Sequence, residues 1–228
     1  MILRKLSLSL SVGAFVVVST LSGLTAQAGP ADVDANDAFW WWGDPAGTSR
    51  IVRNDKGISG NISVHLGNDS GSAKGLAITL WLVIFNNPEE CATAPCTDAD
   101  LFNPAVMPDL VNGGGNVVGA SEKARIGFHY KAGNNAGSIA TLFTAVGLPF
   151  PLDNGEGYGL IDPRGAEVHY VIRFHGPKDA AAMPAQIQSY GGGCVDFAPF
   201  GYPFPAGSDD LYLLPGQCQD VIFAINTP

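Results

Sequence analysis

Residues 167–175 constrain the fold most. Val168, Tyr170, Ile172 and Phe174 fall on one side of this run, and Glu167, His169, Val171, Arg173 and His175 on the other. Strict alternation belongs to an extended strand, because successive side chains of a strand point to opposite faces. Ile62, Val64 and Leu66 alternate with Ser63 and His65 in the same way, as do Ile126, Phe128 and Tyr130 with Arg125, Gly127, His129 and Lys131. Residues 76–85 are apolar on both faces apart from Thr79, which predicts a central strand buried on two sides. Residues 51–53 and 221–225 read as shorter strands, and 139–146 as a strand or a helical turn. The intervening stretches are rich in Gly, Asn, Asp and Pro, the residues of tight turns. With 29 glycines, 16 prolines and 46% apolar residues, the chain is turn-rich without being disordered. The pattern predicts an all-β fold, an antiparallel β-sandwich of about seven to nine strands. Two long loops interrupt it, at 86–123 and 176–211, and stapled loops of this length carry function more often than short ones.

The N-terminus predicts where the fold matures. Arg4 and Lys5 precede an uncharged apolar run over 6–24, and Ala26-Gln27-Ala28 supplies the small-x-small pattern of a signal-peptidase site. The run is long enough to span a bilayer, but the cleavage pattern and the lack of a basic cluster behind it favour removal. The expected organisation is a signal peptide over 1–28, an N-terminal arm with an aromatic segment over 29–56, and a single β-sandwich domain over 57–228. The chain is then secreted, extracellular or periplasmic, with no transmembrane anchor after cleavage. In that compartment the four cysteines read as disulfides, and nearest-neighbour pairing joins Cys91 to Cys96 and Cys194 to Cys218. Loop-closure entropy assigns about 2 kcal/mol to the first and about 3.5 kcal/mol to the second. Charged residues make up 14% of the chain, the net charge is −9, and no basic run exists to neutralise phosphates, which excludes nucleic acid and anionic membranes as partners.

Several residue groups qualify as candidate sites. Glu167, His169, Arg173 and His175 share one face of their strand. That face is expected to be an ordinary solvated one, with a binding or catalytic face as the sharper alternative. His169 and His175 are too far apart to share a metal ion, about 20 Å on an extended strand. All four histidines lie on polar faces of predicted strands, so His65, His129 and His169 could converge on Cu or Zn if those strands were neighbours. Phe39-Trp40-Trp41-Trp42 is expected to be core or edge cover. If exposed, Trp40, Trp41 and Trp42 form a patch that could stack on sugars or on a partner. Glu89, Glu90, Asp98 and Asp100 offer hard oxygens for Ca²⁺ without an EF-hand spacing. Asn61-Ile62-Ser63 and Asn68-Asp69-Ser70 match the N-glycosylation triplet. The sequence contains no Gly-x-Ser-x-Gly, His-Glu-x-x-His or P-loop motif.

The segment Gly165-Ala166-Glu167-Val168-His169-Tyr170-Val171-Ile172-Arg173-Phe174-His175-Gly176-Pro177 resembles one common in uncharacterised secreted bacterial proteins. It is similar in pattern to the CHRD-type extracellular domain, in which a His-containing strand follows a region like Ser59-Gly60-Asn61-Ile62-Ser63-Val64. The chain departs from that domain in lacking a His-x-His pattern and in its long stapled loops. The resemblance implies a secreted β-sandwich and carries over no activity. The expected function is a secreted, non-enzymatic binding, surface or structural module with no resident cofactor, meeting an extracellular protein or glycan. Two alternatives stand beside it. One is a His-ligated Cu or Zn metalloprotein of sandwich fold. The other is a secreted hydrolase using the Glu167, His169, Arg173 and His175 face, which requires a concave pocket over that strand.

Overall fold

The computed structural model describes residues 30–67, 72–194 and 218–228. The leader, the Asn68-Asp69-Ser70 triplet and the distal part of the second long loop lie outside the described residues. Among the described residues eight strands, β1 (Asp32–Trp40), β2 (Pro45–Asn54), β3 (Gly57–His65), β4 (Leu76–Phe85), β5 (Pro108–Val117), β6 (Lys123–Lys131), β7 (Glu167–Pro177) and β8 (Gln219–Asn226), make one sheet in the order β5-β4-β7-β8-β1-β2-β3-β6. Each hydrogen-bonded pair is antiparallel. Strand twist curls the sheet until its edge strands, β5 and β6, come into contact without pairing. The result is a nearly closed all-β shell whose strand number falls in the expected range.

Alternation decides what fills the shell. Ile78, Leu80, Leu82 and Ile84 of β4 meet Val168, Tyr170, Ile172 and Phe174 of β7. Ile51, Ile58, Ile62 and Ile126 approach from the strands opposite. The outer faces of β4 and β7 are also covered. Trp81, Val83 and Phe85 of β4 and Val171 of β7 form a second cluster with Leu101 and Val106 of the first long loop, Phe143 of helix α1 (Ala140–Ala145), Phe150 and Tyr190. This two-sided burial explains why every residue of β4 is buried, as its continuous apolar run predicted. The 139–146 segment resolves as the helix, not the strand.

Three sequence expectations change. The 29–56 segment is not a loose arm; it supplies β1 and β2, both paired along their length. The acidic and small residues of β1 sit on its outer side and at its start, while Ala38 and Trp40 enter the core, so its polar composition hides a strand. The 86–123 insertion is not all loop, because β5 lies inside it. Its Gly113-Gly114-Gly115 run looks like a turn but permits close packing. A Cβ at Gly115 would lie 2.2 Å from the carbonyl oxygen of Ile187, beside helix α2 (Ala185–Gln188). The third change concerns the polar face of β7, which is not solvated: Glu167, Arg173 and His175 are buried and His169 is nearly so.

Polar anchors hold the ends of the shell. Arg53 of β2 is buried, and its guanidinium donates to the carbonyls of Ala166 at 2.6 Å, Asn226 at 2.8 Å and Pro163 at 3.2 Å, with Asp34 at 3.6 Å. One side chain thus ties the β7 approach and the C-terminal strand to β2. Burial lowers its pKa from the ordinary value, against the pull of Asp34. Both expected disulfides are present.

R53M should lower the unfolding free energy by about 3 kcal/mol, since buried carbonyls lose their donors. Urea denaturation reads this, and hydrogen exchange at Asn226 should accelerate. Removing Cys194–Cys218 as paired serines should cost about 3.5 kcal/mol and removing Cys91–Cys96 about 2 kcal/mol, in that order, from loop length. Denaturation of the two double variants checks the ranking.

Candidate functional site

The face of β7 that carries Glu167, His169, Arg173 and His175 is divided into two buried polar groups. Glu167 Oε1 accepts from the Cys96 amide at 2.8 Å and lies 2.5 Å from His169 Nε2. This pair therefore docks the Cys91–Cys96 loop onto the strand. His169 also packs its ring edge-on to Phe85.

Arg173 and His175 form the second group with the 178–194 segment. Arg173 donates from Nη1 to Asp220 Oδ1 at 2.9 Å and from Nε to the Tyr190 carbonyl at 3.0 Å, and its guanidinium lies 4.0 Å over the Tyr190 ring. The Tyr190 hydroxyl donates to Asp220 Oδ2 at 3.0 Å, so three side chains close a ring of contacts. Burial disfavours the charge on Arg173, but Asp220 and Tyr190 together more than offset this and hold the pKa above its ordinary value. A bulge opposite β8 brings Arg173 level with Asp220.

His175 is fully buried and its tautomer follows from its partners. Nδ1 lies 2.8 Å from the Gly192 carbonyl, which can only accept, so Nδ1 carries the proton. Nε2 then accepts from Thr79 Oγ1 at 2.8 Å, and Thr79 Oγ1 accepts from Trp81 Nε1–H at 2.8 Å. Burial pushes the His175 pKa down to about 4, the Gly192 bond opposes this, and Arg173 adds to it. The imidazole is neutral and structural.

The histidines do not converge. His65 and His129 sit exposed on neighbouring strands β3 and β6, but their cross-strand partners are Lys123 and Ser59, so they stand at opposite ends of the pair. His169 lies on β7, on the other side of the shell. The proposed His65, His129 and His169 metal set is therefore not assembled. Among the described residues, one group of three donors comes within 4.8 Å, namely His175, Cys194 and Cys218. Its two sulfurs are bonded to each other, so they are not free to ligate. Of the acids considered for calcium, Asp100 is already engaged by the loop's own amides. Asp100 is buried and accepts from the amides of Ala92 at 2.9 Å and Thr97 at 2.7 Å. These bonds pull its pKa down although burial raises it.

A cavity of about 70 Å³ lies against the outer face of β4, β7 and β8, lined by Trp81, Val83, Leu101, Leu110, Val171 and Phe223 with Asp98, Tyr190 and Asp220. A pocket over this strand was a requirement of the hydrolase alternative. None of Glu167, His169, Arg173 and His175 lines it. Little in the sequence signals this cavity, since Asp220 precedes an apolar run and Tyr190 sits in a glycine-rich loop.

The aromatic segment is divided by the β1–β2 turn. Trp40 is buried in the core, edge-on to Phe174. Trp41 and Trp42 lie in the turn, where Trp40 N–H bonds Asp44 O and Gly43 N–H bonds Trp40 O, each at 2.8 Å. Gly43 takes φ +99°, a conformation that favours glycine. Trp42 stacks on Trp40 at 4.8 Å and donates from Nε1 to Asp44 Oδ2, and Trp41 stands edge-on to Trp42 at 5.7 Å. Trp41 is 49% exposed, Trp42 40% and the adjoining Phe39 41%. The segment is thus core at Trp40 and surface at its neighbours, not edge cover throughout.

Comparison with protein-family models, with curated proteins and with solved structures found no match for this chain. Among the described residues no helix is long and apolar enough to cross a membrane.

Folded His175 resists protonation until about pH 4, whereas an unfolded histidine titrates near 6.5. Between these values the unfolded chain binds the extra proton, so stability falls as the pH falls through this window, by up to about 3 kcal/mol from this group. H175Q should lower stability at pH 7.5 and show a smaller further loss down to pH 4.5, read from urea midpoints across that range.

Proposed function

We propose that this chain is a secreted, non-enzymatic binding module that meets an extracellular glycan or protein through the β1–β2 tip. The observation that carries this reading is the exposure of Phe39, Trp41 and Trp42 on a turn that is itself rigidly built. Large aromatics cost free energy when left in water, and contiguous exposed ones mark interaction surfaces. Trp42 is held by its stack on Trp40 and its bond to Asp44, so little rotamer entropy is left to lose on binding. Flat indole faces suit the apolar faces of sugar rings.

Export rests on the leader and agrees with the two disulfides. A non-enzymatic role is supported by the use of Arg173 and His175, whose polar atoms hold loops to the sheet. The charge balance points away from nucleic acid and anionic lipid.

A glycan array and an extracellular-protein pull-down with the secreted chain test the reading. W41A/W42A should weaken the strongest binding by at least about tenfold, as interface tryptophans often do, with the thermal midpoint little changed. Unchanged binding in the double variant would refute the tip as the site. Silence on both assays, with turnover in a broad hydrolase screen, would refute the module itself.

A further inference from the structure

Charge is unevenly spread over this acidic chain. The net charge is −9, yet β2, β3 and β6 contain no Asp or Glu. Alternation sends Ile51, Ile62 and Ile126 into the core and Arg50, Lys123, Arg125 and Lys131 outward, where all four are exposed. In neighbouring β1, Asp32 pairs with Arg164 and Asp34 with Arg53, which leaves Asp37 as the unpaired acid of that strand among the described residues. Glu122, just before β6, bonds the Ser72 hydroxyl. None of the four outward cations forms an ion pair among the described residues, whereas Arg53, Arg164 and Arg173 each have a carboxylate partner. The exposed acids Glu89, Glu90, Asp98, Asp153, Glu156 and Asp179 lie in loops and short helices instead.

Register places this basic face beside the aromatic tip. The tip joins Trp40 at the end of β1 to Pro45 at the start of β2. His65 ends β3 opposite Lys123, which begins β6, and Val64 is opposite Gly47 of β2. All of these therefore lie at one end of the sheet, and Phe39 faces outward there on β1. Three strand spacings separate β1 from β6, about 14 Å. At this end an open groove of about 450 Å³ has Ser63, His65, Lys123 and Arg125 as its polar lining and no carboxylate. The face continues along the strands, where Thr48, Asn61 and Ser59 stand between the cations.

Ligand classes can be sorted against that surface. Lys123 and Lys131 are eight residues apart on β6, about 27 Å, so the cations form a strip and not a pocket for one small anion. An acidic protein segment would need apolar anchors at the centre of its footprint, and the centre here holds Asn61, Ser63 and Gly127. A densely sulfated chain would outnumber four spaced cations. A linear polysaccharide with one carboxylate per sugar matches each part. Its carboxylates meet Arg and Lys, its hydroxyls meet Ser, Thr and Asn, and its ring faces meet the aromatics of the tip.

We propose that the glycan met at the tip is a carboxylated polysaccharide, and that it runs from Phe39, Trp41 and Trp42 across the basic face of β2, β3 and β6. The choice of a glycan rests on the tip reading; the charge of that glycan rests on Arg50, Lys123, Arg125 and Lys131.

Calorimetry with the full secreted chain tests this, using polygalacturonate, its fully methyl-esterified form, heparin and polyglutamate as probes. Polygalacturonate should bind, and esterification, which removes the charge and keeps the sugar, should weaken binding at least about tenfold. Added salt should weaken it too, as for other polyanions whose counterions are released. R50Q/K123Q/R125Q removes exposed, unpaired charges, so its thermal midpoint should be unchanged. Its affinity for polygalacturonate should fall at least about tenfold, with a shallower salt dependence. Equal binding of the ester, tighter binding of heparin or polyglutamate, no binding of polygalacturonate, or an unaffected triple variant would overturn the proposal. Loss in the triple variant with full binding in W41A/W42A would refute the tip alone. Loss in W41A/W42A with full binding in the triple variant would refute the basic face alone.

Discussion

The buried contact of Arg173 with Asp220 and Tyr190 organises the covered half of this protein. It joins β7 to β8 at a bulge, and through Tyr190 it fastens the 178–194 segment over the outer face of the sheet. A charge that deep is tolerated because it is paired, bonded to a carbonyl and set against an aromatic ring. Removing one member would leave another charged or polar group buried without its partner, so the three stand or fall together. The neighbouring His175 extends the same seam. It links Thr79 of β4 to Gly192 of the covering loop and lies beside the Cys194–Cys218 bridge.

The shell therefore has two unlike halves. Strands β5, β4, β7 and β8 are sandwiched between the inner core and a layer of loops and short helices pinned by Glu167, Arg173, His175 and the disulfides. Strands β1, β2, β3 and β6 bury one face and leave the other to solvent, which is the usual condition of an antiparallel sheet. The exposed aromatics and the cavity follow this division. The aromatic tip projects from the uncovered half, at the turn of a tight hairpin. The cavity lies on the covered half, against the outer face of β4, β7 and β8.

Local physics made much of the fold legible. The alternations in 62–66, 126–130 and 167–175 and the apolar run 76–85 all became strands, because side-chain period is a property of the extended backbone alone. Of the three pairings that four cysteines allow, the expected nearest-neighbour one is present. Strand β1 was hidden because its outward residues are acidic and small, and β5 because its glycines serve close packing rather than a turn. The aromatic segment was recognised, but which indoles face water depended on where the hairpin turns.

From sequence alone came the all-β class, the faces of the alternating strands, the disulfides and the net negative charge. These depend on residue type and short-range spacing. Only the tertiary structure decided that the polar face of β7 is interior, that His65, His129 and His169 stay apart, that Trp41 and Trp42 are exposed, and that Asp98 and Asp220 share a cavity. Alternation states which way a side chain points; what covers it depends on loops that arrive from far along the chain.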